Sequence, residues 1–447
     1  MKGVAKVGWS RLCRAILSFV ALSGMLLLSN DSPVRGEDWP QFLGPQRDGV
    51  SREKGLIDTW PVAGLRELWR VDAGIGISGI SIARGKVVTM WQDDEDQLVV
   101  ALDAASGKLL WKTPLAPPFR NSMGNGPRAT PTIAGDEVYA YTGEGILAAM
   151  KLADGQLLWK QDLVDELKAN YAEYGMYSSP LVTKEAVIVT VGGAGAAVVA
   201  VDRPSGKLLW HTGNDAAGYS SPALFEIDAE PQVVTFTGES VLSANPATGR
   251  VLWSYPFPTE YDCNCAAPLF FNGQVFVTSG ENHGCVLLKP TRDPSKPSVP
   301  YRVDEIWKSL GPTSVLRAEW QTPVLVDGYL YGFDNAGSAG PVTNLVCVEA
   351  ATGKAVWQEP KFGKGNLTYA DNKLFITTMI GEVVVVRAQP QGFVELGREA
   401  LMGGSRQPPS IADGKLILRD NREVLCLDIR GSGSPAASTE QPGILAR

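Results

Sequence analysis

Cys263-Asn264-Cys265 and His283-Gly284-Cys285 place three thiols and an imidazole in one short stretch of the chain. Soft donors so spaced could hold Zn²⁺ or Cu⁺. In an oxidising compartment one of the first two cysteines could instead pair with Cys285, and the third reading is free thiols. Arg128, in Asn125-Gly-Pro-Arg128, and the pair Glu319-Trp320 offer charge beside a flat ring, which suits an anionic ligand. The bland reading of the same residues is that they fill and solvate a cavity mouth. Only two histidines exist, His211 and His283, which excludes His-rich metal chemistry. No Ser/His/Asp or Cys/His set can be assembled either, because His211 directly follows Trp210 and should face outward. Gly192-Gly-Ala-Gly195 is no phosphate loop, since no helix follows whose amides could cap a phosphate.

The elements that must position these residues come from one phrase, repeated. Ala101-Leu-Asp103-Ala-Ala-Ser-Gly107-Lys108-Leu-Leu-Trp111 returns in variant form ending at Trp159, Trp210, Trp253 and Trp357. Looser relatives end at Trp69 and Trp307, and Glu395-Leu396-Gly397 lacks the Trp. Successive spacings from Trp69 are 42, 48, 51, 43, 54 and 50 residues, with 40 more to Gly397. Each period reads as four short strands separated by Gly/Asp turns, as in Thr130–Ile133, Glu137–Thr142, Ile146–Lys151 and Leu157–Lys160. Four antiparallel strands per period make a propeller blade. The Gly of each phrase supplies positive φ in the turn between third and fourth strands, and the Trp packs against the neighbouring blade. Cys347 and Cys426 fall in the Ala slot of the phrase and read as small core residues. Seven blades end at Trp111 through Gly397. The last stretch supplies three strands, and Glu67-Leu-Trp-Arg70 supplies a fourth. Joining the chain ends gives an all-β, eight-bladed propeller with no open sheet edge.

In such a ring the first strands line the channel, so residues approaching them are the default site candidates. They are Arg128, Tyr177, Ser178, Tyr219, Ser220, Asn264, Trp320, Gln321, Asn366 and Arg406. Loops joining second to third strands open on the same face and add Glu144, Gly192 to Gly195, Glu239, His283 and Asn335.

The phrase Ala-x-Asp-x-x-x-Gly-Lys-x-x-Trp resembles the tryptophan-docking motif of quinoprotein (PQQ) propellers and is similar to the BamB-like propeller repeat. Asp38-Trp-Pro-Gln-Phe-Leu-Gly-Pro-Gln-Arg-Asp-Gly-Val-Ser51 resembles the leading segment of exported, planctomycete-type PQQ-like repeat proteins. The resemblance spans residues 38 to about 430 and implies the fold. For activity it implies one of two roles. One is a non-catalytic module presenting its propeller face to a protein or polymer partner. The alternative is a PQQ- and Ca²⁺-dependent oxidoreductase of alcohols or sugars. The enzymes of the family use a disulfide of adjacent cysteines, Glu and Asn ligands to Ca²⁺, an Asp base and a Trp on the quinone. Here Cys263 and Cys265 are separated by Asn264, no Cys-x-x-Cys-His is present, and no acidic residue can be matched to the ligand positions. The expectation is therefore the non-catalytic role, without a resident cofactor or metal.

Residues 1–36 read as a secretory leader. Lys2, Lys6, Arg11 and Arg14 precede the apolar run Ala15–Leu28, with Val34 and Gly36 small before cleavage. Cys13 lies ahead of that run and so is no lipoprotein cysteine. Residues 37–65 form a leading segment, 66–430 the propeller, and 431–447 a small-residue polar tail expected to be disordered. The full chain of 447 residues carries −7. The leader has five basic residues and one acidic, which leaves −11 on the rest. That acidity argues against nucleic acid, and no later run is long and apolar enough to span a bilayer. The mature protein is expected to be periplasmic or secreted, and monomeric.

Overall fold

The computed structural model describes residues 36–170, 172–337 and 342–431. The expected leader, up to Arg35, and the tail after Gly431 lie outside the described residues. Eight antiparallel sheets form the propeller. Blade 2 is representative, with strands Thr132–Ala134, Glu137–Tyr141, Ile146–Lys151 and Leu157–Asp162. Middle strands such as Ala186–Thr190 are buried along their whole length, because neighbouring blades cover both faces. Fourth strands alternate, as in Leu157–Asp162, where Trp159 turns inward and its neighbours face out. Helix is almost absent among the described residues; Leu163–Leu167 is one turn capped by Asp162.

The eighth blade draws on both ends of the propeller chain. Arg66–Asp72 pairs antiparallel with Glu423–Asp428, from Arg66 opposite Asp428 to Asp72 opposite Glu423, with a shift of register between Glu67 and Trp69. Lys415–Arg419 and Ser410–Ala412 complete it. The closing strand carries Trp69, so the seam uses the same Trp contact as most of the other blades.

Those contacts explain why the phrase needs both its Gly and its Trp. The Trp69 indole lies over Gly107 of the next blade, where an added Cβ would stand 2.7 Å from the ring. The indole N–H donates to the Ala104 carbonyl at 3.2 Å. Trp111 repeats this with Gly155 and Leu152, Trp159 with Gly206 and Arg203, and Trp210 with Gly249 and Pro246. Trp307 sits on Gly353 and donates to Ala350. The Gly thus provides positive φ and a bare surface for the ring at once. Trp253 departs from the pattern. Blade 5 replaces the tight turn by the long connection between Arg292 and Tyr301, and the indole turns to Gln232 of its own blade at 2.7 Å.

The leading segment is woven into the ring. Trp39 bridges Ile82, Arg47 donates to the Ser179 and Pro180 carbonyls, and Val50–Ser51 pairs parallel to Tyr369–Ala370. It therefore touches inner strands of blades 1, 3 and 7 in turn.

Candidate functional site

The inner strands are knitted by Ser and Thr at Ser/Thr-Pro steps. Ser179 Oγ accepts from Thr130 N at 3.0 Å, Ser221 Oγ from Ser179 N at 2.9 Å, and Thr322 Oγ1 from Ala267 N at 2.9 Å. Thr132 donates to the Pro180 carbonyl and Thr368 to that of Pro409. Proline, lacking an N–H, fits an inner edge strand that has no ladder partner. This belt fixes the walls of a central cup of about 300 Å³. Phe42 and Leu43 of the leading segment contribute apolar surface, and Thr130, Ser179, Ser221 and Thr322 line the walls. Arg128, Tyr177, Tyr219, Trp320, Asn366 and Arg406 also line the cup.

Five of the six main sequence candidates therefore share one cavity. Gln321 does not. Its side-chain oxygen accepts from Phe333 N and its nitrogen donates to the Thr322 carbonyl. Asn264 is also structural, donating to the Thr237 and Gly238 carbonyls. Ser178 accepts from Thr190 N, Glu144 accepts from Gln97, and His211 is exposed against the Gly195 carbonyl. Arg128 lines the cup but differs from the expected anion clamp. It is 1% exposed, and its guanidinium donates to the carbonyls of Tyr174, Gly126 and Gly124. Its flat faces meet Phe119 at 4.5 Å and Tyr177 at 5.2 Å. It holds the mouth loops in place.

Trp320 is flanked by two cations. Lys364 Nζ stands 4.5 Å and the Arg406 guanidinium 5.1 Å from the ring centre. Lys364 is neutralised by Glu319 at 2.7 Å, and Glu319 also accepts from Asn335 at 3.1 Å. Burial raises the Glu319 carboxyl above its usual range, Lys364 opposes that, and the nearby Glu281 charge adds to it. Arg406 gives one N–H to the Met123 carbonyl.

The expected soft-donor cluster does not assemble. Cys263 and Cys265 face the cup, but Cys285 points into the core between blades, with its sulfur 3.9 Å from Ser314 Oγ. The His283 ring packs on Phe257 at 4.4 Å. All five described cysteines are free, and no group of three or more His, Cys, Asp or Glu gathers to hold a metal among the described residues. Burial pushes the Cys263 thiol up to about 12, and Cys265 is also raised, first by burial. These thiols are poor nucleophiles.

Among the lining residues that escaped the sequence reading are Tyr174, Tyr261 and Glu281. Tyr174 stacks on Tyr219 at 5.7 Å. Tyr261 and Glu281 both take positive φ, as do their successors Asp262 and Asn282. Consecutive left-handed residues also make the hairpin turns at Asp228-Ala229 and Asp371-Asn372, where a tight turn needs positive φ at both positions. Glu281-Asn282 in a hairpin turn was the available signal, since Asn-Gly is the ordinary choice there.

Comparison with known proteins accords with this architecture. The family model for outer membrane protein assembly factor BamB matches residues 65–169 and 95–336. BamB of Shewanella oneidensis is 22% identical over 314 residues, covering 69% of this chain and 75% of that protein. Quinohemoprotein alcohol dehydrogenase ADH IIB of Pseudomonas putida is 34% identical over 139 residues, but the match spans only 29% of this chain and 20% of that enzyme. Among solved structures, BamB of Moraxella catarrhalis superposes with a TM-score of 0.57 at 12% identity, covering 81% of this chain and 99% of that one. Quinohemoprotein alcohol dehydrogenase of Comamonas testosteroni gives 0.63 at 14% identity, covering 91% and 83%. Such likeness at low identity speaks to the fold alone. Since the family model covers more than half of the sequence, and the ring, its repeat and its closure agree with it, the chain belongs to the BamB-type family of PQQ-like repeat propellers.

Proposed function

We propose that this protein is an exported, non-catalytic binding propeller that presents the mouth of its central cup to a protein partner. The observation that carries this reading is how the cup's reactive groups are used. Arg128 is spent on three carbonyls, Glu319 on Lys364 and Asn335, and the cup's two thiols are held protonated by burial. None of these groups is left as a poised base or nucleophile beside an electrophile-stabilising pair. Aromatic side chains around a concave mouth are the composition of interaction hot spots. Tyr261, at 63% exposed, is the most prominent of them.

The oxidoreductase alternative draws on Trp320, Cys263 and Cys265 lying around one cavity, and on the partial likeness to quinohemoprotein dehydrogenases. PQQ with Ca²⁺ does not fit the donors present. Calcium takes six to eight oxygens. Of the cup's two carboxylates Glu319 is already paired with Lys364, and Glu281 would have to supply most of the charge.

Export is part of the proposal. No described helix is long and apolar enough to cross a membrane, and the named BamB relatives are outer membrane assembly factors. The role is tested by photo-crosslinking in cells, with the reactive side chain at Tyr261 or at Leu158 on the outer rim. Defined protein adducts from position 261 alone are expected. Equal labelling from both positions, or none from 261, would count against the proposal.

A further inference from the structure

Arg406 is the cation of the cup whose hydrogen-bonding capacity is least used. Arg128 gives donors to three carbonyls and Lys364 is bound to Glu319, whereas one Arg406 nitrogen serves the Met123 carbonyl. Its guanidinium carbon stands over the Trp320 ring, 5.1 Å from the ring centre, and Lys364 Nζ lies over the same ring at 4.5 Å. A guanidinium over a ring with one nitrogen on a carbonyl still has N–H groups to offer an oxyanion, and a carboxylate matches two of them in geometry. The lining shared with Arg406 is apolar where it meets Phe42, Leu43, Leu367 and Pro408. Glu281 and Glu319 lie in the same cavity. Their charge weighs against phosphate or any polyanion and leaves room for a single negative charge.

We infer that Arg406 and Trp320 form a subsite for one carboxylate attached to an apolar residue, as at the C-terminal end of a peptide chain. The carboxylate takes the Arg406 fork, and the last side chain lies against Phe42 and Leu367. A cup of about 300 Å³ has room for a short chain end. This inference rests on the binding role proposed above and names what enters the cup. The carboxyl terminus could belong to a free short peptide or to a folded partner, and the chemistry at Arg406 is the same for both.

The test is calorimetric titration of the full chain with three probes. They are acetyl-Ala-Ala-Phe with a free carboxylate, the same peptide as its carboxamide, and a small folded carrier domain ending in Ala-Ala-Phe. The free acid should bind at least about tenfold more tightly than the amide, because a bidentate charge-assisted pair is lost in the amide. Arg406→Gln should abolish that preference, and Arg406→Lys should recover only part of it. Binding of the carrier assigns the subsite to partner chain ends, and binding of the free peptide alone assigns it to small peptides. Equal affinity for acid and amide on the wild type, or no binding of any probe, overturns the inference. Crosslinking at Tyr261 would still report on the binding role in that case.

Discussion

Trp60 of the leading segment lies directly on Gly397, in the fourth strand of blade 7, at the place where the other repeats carry their docking Trp. A Cβ on Gly397 would fall inside the Trp60 indole. The missing Trp of the last repeat is thus replaced in space by one that is distant in sequence. Trp60 packs against the core formed with Leu56, Ile57 and Leu65, so the same contact fastens the leading segment to the ring.

Restoring the motif should therefore harm the protein. Gly397→Trp is expected to destabilise by about 1–3 kcal/mol, the usual cost of overpacking. Combining it with Trp60→Ala should recover part of that loss, because the two indoles compete for one slot. Urea unfolding of the two single variants and the double variant checks this. A Gly397→Trp variant more stable than wild type would contradict it.

At Trp159 the reverse holds. The side chain is 7% exposed, covers Gly206 and donates to the Arg203 carbonyl at 2.9 Å. Trp159→Ala should cost about 3–5 kcal/mol, as truncation of a buried Trp does. Gly206→Ala should also destabilise, since its φ is +71° and the new Cβ would meet the ring at 2.6 Å. Melting curves unchanged from wild type would refute the docking role.

Acid should weaken the seam of the ring. The Asp428 carboxyl is held below the usual range by its hydrogen bonds from Arg430, against the effect of burial, with Arg66 of the closing strand adding to the lowering. A carboxylate whose folded pKa is depressed contributes stability above its unfolded value of about 3.9, and that contribution fades as pH falls below it. Asp428→Asn should accordingly be less stable than wild type at pH 7, with the difference shrinking below about pH 4. A difference that stays constant down to pH 2 would show that Asp428 acts by shape alone.

Much of this was legible because it is local. Trp, Gly and the intervening turn lie within one phrase, so the sequence exposes the blades, their number and the closure at Trp69. Alternating strand direction, which puts the segments entering the inner strands on one face, likewise brings Arg128, Tyr177, Tyr219, Trp320 and Arg406 to one cavity. What stayed hidden depends on partners far along the chain. The Tyr174 carbonyl that takes the Arg128 Nε–H lies 46 residues on, and the slot that receives Trp60 is made by Gly397. Spacing placed Cys263, Cys265 and Cys285 on one blade, but it did not say that Cys285 faces the inter-blade core. Gln321 sits one residue beyond the lining Trp320, and that single step turns it to the other side.

Dye-linked oxidation of several alcohols and sugars by protein mixed with PQQ and Ca²⁺ tests the central claim most directly. A propeller whose cup holds spent arginine, a paired carboxylate and protonated thiols should give no turnover above the protein-free control. Turnover that rises with protein concentration and disappears in Trp320→Ala would contradict the account and assign this cup to an enzyme.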